Sequence, residues 1–221
     1  MRKIKYFMGV TMPILAAVCG ICLTAGGVYA FFSGKAETVN NRFEIAAGSM
    51  NEDGAISIEE PLWDVTDEDG DGIPDAAQNL QPGSVVNKNP SVKSRVEYDG
   101  WVVMRVTMPK TLAALEKGQT PAKTEVFDLI SLNETDFVLL DSVTDGEDFS
   151  QYYYGYKRIL KAGASTEDLF GKIRVKDFAV VKEAFAGSVD IDAKITQAVD
   201  PATGTQYPSV SQAYEGMGGR F

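Results

Sequence analysis

Apolar residues recur at every second position in several short runs along the chain, which is the spacing of half-buried strands. In "AISIEEPLW" Ile56 and Ile58 alternate with polar neighbours. "WVVMRVTM" puts Val102, Met104, Val106 and Met108 on one face. Its other face mixes Trp101 and Val103 with Arg105 and Thr107, so it reads as a strand largely buried on one side and wetted at one end. "FVLLDSV", "QYYYGYKRIL", "GKIRVKDFAVV" and "VDIDAKI" are further strands by the same reasoning. Turn dipeptides separate them: Pro82-Gly83, Asp99-Gly100, Asp145-Gly146, Ala162-Gly163 and Gly187-Ser188. Many short strands at regular spacing predict an all-β chain, a jelly-roll-like β-sandwich with one or two short helices.

Two stretches interrupt the alternation. "PKTLAALEKGQ" predicts a short helix from Leu112 to Lys117, ended by Gly118, and Val180–Ala186 predicts a second helical turn. The C-terminal "QYPSVSQAYEGMGGRF" has no apolar tail and is expected to be loosely ordered.

The N-terminus has a different pattern. Arg2, Lys3 and Lys5 precede an uncharged run from Tyr6 to Ser33. A basic end, an apolar middle and small residues before a cut make a secretory signal. Val28 and Ala30 fill the small-residue positions, so cleavage between Ala30 and Phe31 is expected. The alternative is a retained anchor, since about 20 apolar residues span a bilayer. Pro13 and the glycines Gly20, Gly26 and Gly27 weaken such a helix. The expected organisation is a signal peptide over 1–30, a β-sandwich over 31–200 with an acidic insertion at 64–78, and a tail over 201–221. In this reading the membrane is met only through the uncleaved signal.

Charge and residue types narrow the chemistry. The 221 residues include 31 acidic and 21 basic ones, for a formal net charge of -10. Phosphate backbones repel such a body, so no nucleic-acid partner is expected. The chain has no histidine, and its two cysteines, Cys19 and Cys22, lie in the signal segment. A His-Glu-x-x-His site, a Ser-His-Asp triad, a Cys-His pair and a zinc-thiolate centre are thereby excluded from the cleaved form. No catalytic residue is assigned, and the chain is not expected to be an enzyme.

The sharpest chemical motif is "DEDGDGIPD". Asp67, Asp69, Asp71 and Asp75 take positions 1, 3, 5 and 9 of a calcium loop, Gly72 the sharp turn at 6, and Ile73 the backbone-carbonyl position 7. Position 12 holds Gln78 where an EF-hand has a bidentate glutamate. Calcium of weak, extracellular-type affinity, with Kd on the order of 10⁻⁴–10⁻³ M, is the expected cofactor. A solvated acidic turn is the alternative. Tyr152, Tyr154 and Tyr156 share a strand face, which suits either glycan stacking or core packing.

"GGVYAFFSGKAETVNNRFEIAAGSM" resembles the start of the TasA/camelysin family of exported proteins, which carry a dedicated signal peptide of the SipW-dependent type. Gly26-Gly27, Ala30, Phe32-Ser33, Asn41, Phe43 and Gly48 fill the pattern, with Ala46 and Ala47 loosening its last spacing. "NLQPGSVVNKNPSVKS", "YYYGYKRILKAGASTEDLFGKIRV" and "VDIDAKITQAV" resemble later family segments in the same order. The resemblance implies a structural protein secreted by a Gram-positive bacterium to its surface or biofilm matrix. Its partners would be a signal peptidase, then copies of itself or related matrix subunits. In fibre-forming members the N-terminal segment supplies a strand to the next subunit, and Phe31, Phe32, Val39 and Phe43 would be the assembly strand here. Burying each exposed phenylalanine is worth roughly 1.5–3 kcal/mol. The alternatives are a monomeric surface binding module for glycans or proteins and a secreted hydrolase. Camelysin has been described as a metalloprotease, an activity that does not carry over to a histidine-free chain.

Overall fold

The computed structural model describes residues 33–35, 54–68, 70, 74–78, 80–182, 187–199 and 203–221. The signal segment, the cut at Ala30–Phe31 and the assembly residues Phe31, Phe32, Val39 and Phe43 lie outside them, as do Asp69, Asp71 and Ile73.

The fold is an all-β sandwich, as expected. Its centre is a fifteen-residue strand, β5 (Gly100–Ala114), following β1 (Ser33–Lys35), β2 (Ile56–Glu59), β3 (Val85–Asn87) and β4 (Ser91–Ser94). On one side β5 pairs antiparallel with β12 (Asp190–Gln197), and on the other with β9 (Phe149–Tyr156). β1 continues the sheet beyond β12, and β8 (Phe137–Val143) continues it beyond β9. A register shift between Leu139 and Asp141 bends that outer pair. A three-stranded sheet runs in the order β3, β10 (Lys172–Val175), β7 (Phe127–Ile130), and β2 pairs with β4.

The main core lies between these sheets. Val102, Met104, Val106 and Met108 of β5 and Ile191, Ala193 and Ile195 of β12 meet Val86, Phe127, Leu169, Phe170 and Ile173. The alternation seen in the sequence thus points inward on this face, where β-branched side chains pack well on a pleated surface.

The opposite face of β5 is also covered, which the sequence reading did not anticipate. Trp101, Val103 and Tyr153 form a second core with Val210, Ala213, Tyr214 and Met217. Val210, Ala213 and Tyr214 belong to α1 (Val210–Gly216), the one α-helix among the described residues, and Met217 is its C-cap. The tail expected to be loosely ordered is therefore packed. Ser209 caps the helix by accepting from the Gln212 amide, and Trp101 Nε1 donates to the Tyr207 carbonyl at 3.3 Å. Close approach demands glycine at 155: a Cβ there would sit 2.7 Å from Val210 Cγ2 and 2.8 Å from Leu140 Cδ1.

Both expected helical turns are corrected. Leu112–Ala114 is the end of β5, paired on one side with β6 (Ala122–Glu125) and on the other with β11 (Val180–Val181). Strands on both sides satisfy the backbone, and this outweighs the local helix preference of Leu, Ala and Glu. The chain then turns at Gly118, with φ of 90°, and the Gln119 side chain accepts from the Leu115 amide at 3.1 Å. Val180 and Val181 are strand residues, and 183–186 lie outside the described residues.

Gly155→Val is expected to overpack the contact between α1 and the sheet. Urea unfolding followed by tryptophan fluorescence should show a loss of about 1–3 kcal/mol.

Candidate functional site

The N-terminal strand pairs with the sheet edge through its backbone. Ser33, Gly34 and Lys35 lie opposite Thr196, Ile195 and Lys194 in antiparallel register. The receiving strand β12 is firmly held from its other side by eight residue pairs with β5. Ile191, Ala193 and Ile195 anchor it in the main core, each fully buried. The arrangement is a rigid edge carrying a three-residue addition.

Beside this edge, on the α1 face, the chain's last residue is docked. Arg105 is bonded to Asp192 through Nε at 2.9 Å and through a second nitrogen, and it also donates to the Phe221 carbonyl. The Arg105 guanidinium and the Lys194 ammonium lie 5.4 and 5.8 Å from the Phe221 ring, and Tyr153 meets that ring edge-on at 5.8 Å. One residue away, Arg220 holds the Asp141 carboxyl below the usual carboxylate range through a hydrogen bond, against slight burial.

The acidic loop is drawn closed at its ends. The Asp75 amide donates to the Thr66 carbonyl at 2.8 Å, and Asp67 Oδ1 accepts from the Gly70 amide at 2.8 Å. Asp75 Oδ1 accepts from the Glu68 amide at 3.4 Å. Asp64, outside the expected ligand set, is held low by the Thr66 hydroxyl and amide. Of the five expected ligands, Asp67 and Asp75 are therefore brought to the two ends of one closed turn. Among the described residues, no three acidic, histidine or cysteine side chains converge as a metal-holding group.

The tyrosine face is core. Tyr154 and Tyr156 are buried in the main core and Tyr153 in the second one. Burial, with a hydrogen bond to Glu167, pushes the Tyr156 phenol up to about 12. Burial and Glu125 likewise raise the Tyr152 phenol. A stacking platform for sugars is thereby set aside. A recess of about 620 Å³ lined by Ser131, Asn133, Glu134, Asp168 and Phe170 offers no reacting pair. Asn133 is spent on Asp136 and the Asp168 carbonyl, and Asp168 accepts from Asn89.

Sequence reasoning missed a buried ion pair. Lys88 follows β3 and is only 1% exposed, with Nζ 2.8 Å from Glu60 Oε1, itself 8% exposed. The Trp63 ring covers the ammonium at 5.2 Å. Burial pushes the Lys88 ammonium below the usual lysine range, and Glu60 opposes that shift. Next door, Asn89 accepts from the Leu62 amide at 2.8 Å and donates to Asp168 at 3.0 Å. The available signal was the two-residue period, since Lys88 shares a strand face with the buried Val86.

Residues 5–95 match the family model described as camelysin metallo-endopeptidase. Over this stretch, which is under half of its length, the chain is similar to the TasA/camelysin family. That likeness supports an exported, matrix-type protein. The matched part takes in β1 to β4 and ends before β5. No curated protein and no solved structure matches the chain. The enzymatic part of the family's description meets a chain that has no histidine to hold zinc.

Removing Arg105 would strand Asp192, which is 1% exposed. Arg105→Ala is expected to cost about 3–5 kcal/mol in urea unfolding. Arg220→Ala, at the solvent-exposed Asp141 pair, should cost far less in the same assay.

Proposed function

We propose that the protein is a non-enzymatic structural subunit of the cell surface or extracellular matrix, assembled by exchange of its N-terminal strand. The observation that carries this reading is the pairing of Ser33–Lys35 with β12 at the outer edge of the main sheet. These residues begin three positions after the expected cut at Ala30. Release from the signal segment sets this strand loose from the membrane. The edge that receives it within one chain offers the same hydrogen bonds to the strand of another copy, as in domain swapping. Phe31, Phe32, Val39 and Phe43 flank the paired residues and supply the apolar side chains for such an exchange.

Intramolecular pairing of β1 also favours a second reading, a monomeric surface module. The mature protein, beginning at Phe31, separates the two. Light scattering and electron microscopy should show concentration-dependent oligomers or fibres, which deletion of residues 31–43 abolishes. A protein that stays monomeric at all concentrations overturns the assembly reading. Chelator-sensitive hydrolysis of casein by the same preparation would restore the enzyme.

We further infer that calcium orders the acidic loop through Asp67, Asp69, Asp71, Asp75 and the Ile73 carbonyl, with Asp67 and Asp75 at the two ends of its closed turn. Calcium at about ten times its Kd then adds about 1.4 kcal/mol to stability. The melting temperature should rise at millimolar calcium. Asp67→Asn combined with Asp75→Asn should remove the rise, and no shift in the unaltered protein contradicts the assignment.

A further inference from the structure

We propose that Lys88 and Glu60 join through their side chains as an intramolecular amide, a covalent staple across the base of the acidic loop. The two groups meet under unusual constraint. Glu60 directly follows β2, and Lys88 lies between β3 and β4. β2 and β4 are themselves paired, with Glu59 opposite Ser91, so the two backbones cannot drift apart. Asn89 adds a clamp by accepting from the Leu62 amide and donating to Asp168. Both side chains are buried, and Lys88 Nζ stands 2.8 Å from Oε1 of the Glu60 carboxylate whose carbon it would attack. Groups fixed at near-attack distance react as if at very high effective concentration.

The surroundings also favour the uncharged amine that the reaction needs. Trp63 covers the ammonium, and burial disfavours its charged form. A buried ion pair is costly to desolvate, whereas an amide carries no charge. Proton transfer within the pair gives a neutral amine and a carboxylic acid. Lys88 Nζ attacks Glu60 Cδ, forming the C–N bond. The C–O bond to the acid's hydroxyl then breaks, and that hydroxyl leaves as water with a proton from the amine. No oxidant or other reactant enters.

The staple encloses residues 60–88 and with them the whole acidic insertion. It would do for this chain what a disulfide does elsewhere, because no cysteine follows Cys22. It is independent of strand exchange and of calcium.

The test is the mass of the purified, denatured full chain against its sequence, counted from its measured N-terminus. The expected mass is lower by one water. Tryptic mapping should give a branched peptide joining Glu60 to Lys88, with no cleavage after Lys88. Lys88→Arg, which keeps a cation beneath Trp63, should have the mass of its sequence. An unmodified mass in the folded unaltered protein overturns the proposal. So does a link on other residues, or a water deficit that persists in Lys88→Arg. If that variant fails to fold, the unaltered protein decides alone.

Discussion

The burial of β5 on both faces is the constraint on which the remaining structure rests. Val102, Val103, Met104 and Val106 expose nothing, although successive side chains of a strand point to opposite sides. Even-numbered residues require the three-stranded sheet over them, and odd-numbered ones require α1. Each neighbour of β5 inherits its position from that double demand. β12 and β9 flank it in long registers, and the extended far half of β5 recruits β6 and β11. Helix α1 is only seven residues long and would not persist alone. It persists because Trp101, Val103 and Tyr153 need cover.

A core built inward from β5 leaves the sheet's edges with little to contribute. β12 owes its rigidity to β5 and to the main core. β1, on its far side, adds a few backbone hydrogen bonds. An edge strand whose loss leaves the core intact is the kind of element that can be exchanged between copies without unfolding either. The N-terminal segment is the part that signal cleavage would free, so maturation and assembly would meet at a single sheet edge. Covalent closure at Lys88 and Glu60 would act elsewhere, holding the acidic insertion to the body while the edge remains open to exchange.

Much of this was legible in the residues. The inward face of β5, the strand runs and the turn dipeptides all followed from a period of two. The tyrosines joined the two cores, the commoner fate of strand aromatics. What escaped was non-local. Leu112–Ala114 has helix-favouring residues, and only the strands on both sides show why it is extended. Val210, Ala213, Tyr214 and Met217 do follow the i, i+3, i+4, i+7 spacing after a capping Ser209, but the stretch is short and glycine-rich. Its reason for ordering is Trp101, more than one hundred residues earlier. Lys88 stands between two asparagines, with nothing nearby in the sequence but its spacing from Val86 to mark it as buried. Its burial depends on Glu60 and Trp63, brought in by the pairing of β2 with β4.

Native-state hydrogen exchange tests the separation between core and edge most directly. Amides of β12 that face β1 should exchange through local opening, at a free energy well below that of global unfolding. Amides that join β5 to β12 and β9 should exchange only through global unfolding. If the amides facing β1 prove as protected as those of β5, the N-terminal strand is an integral part of the core, and an exchangeable edge is contradicted.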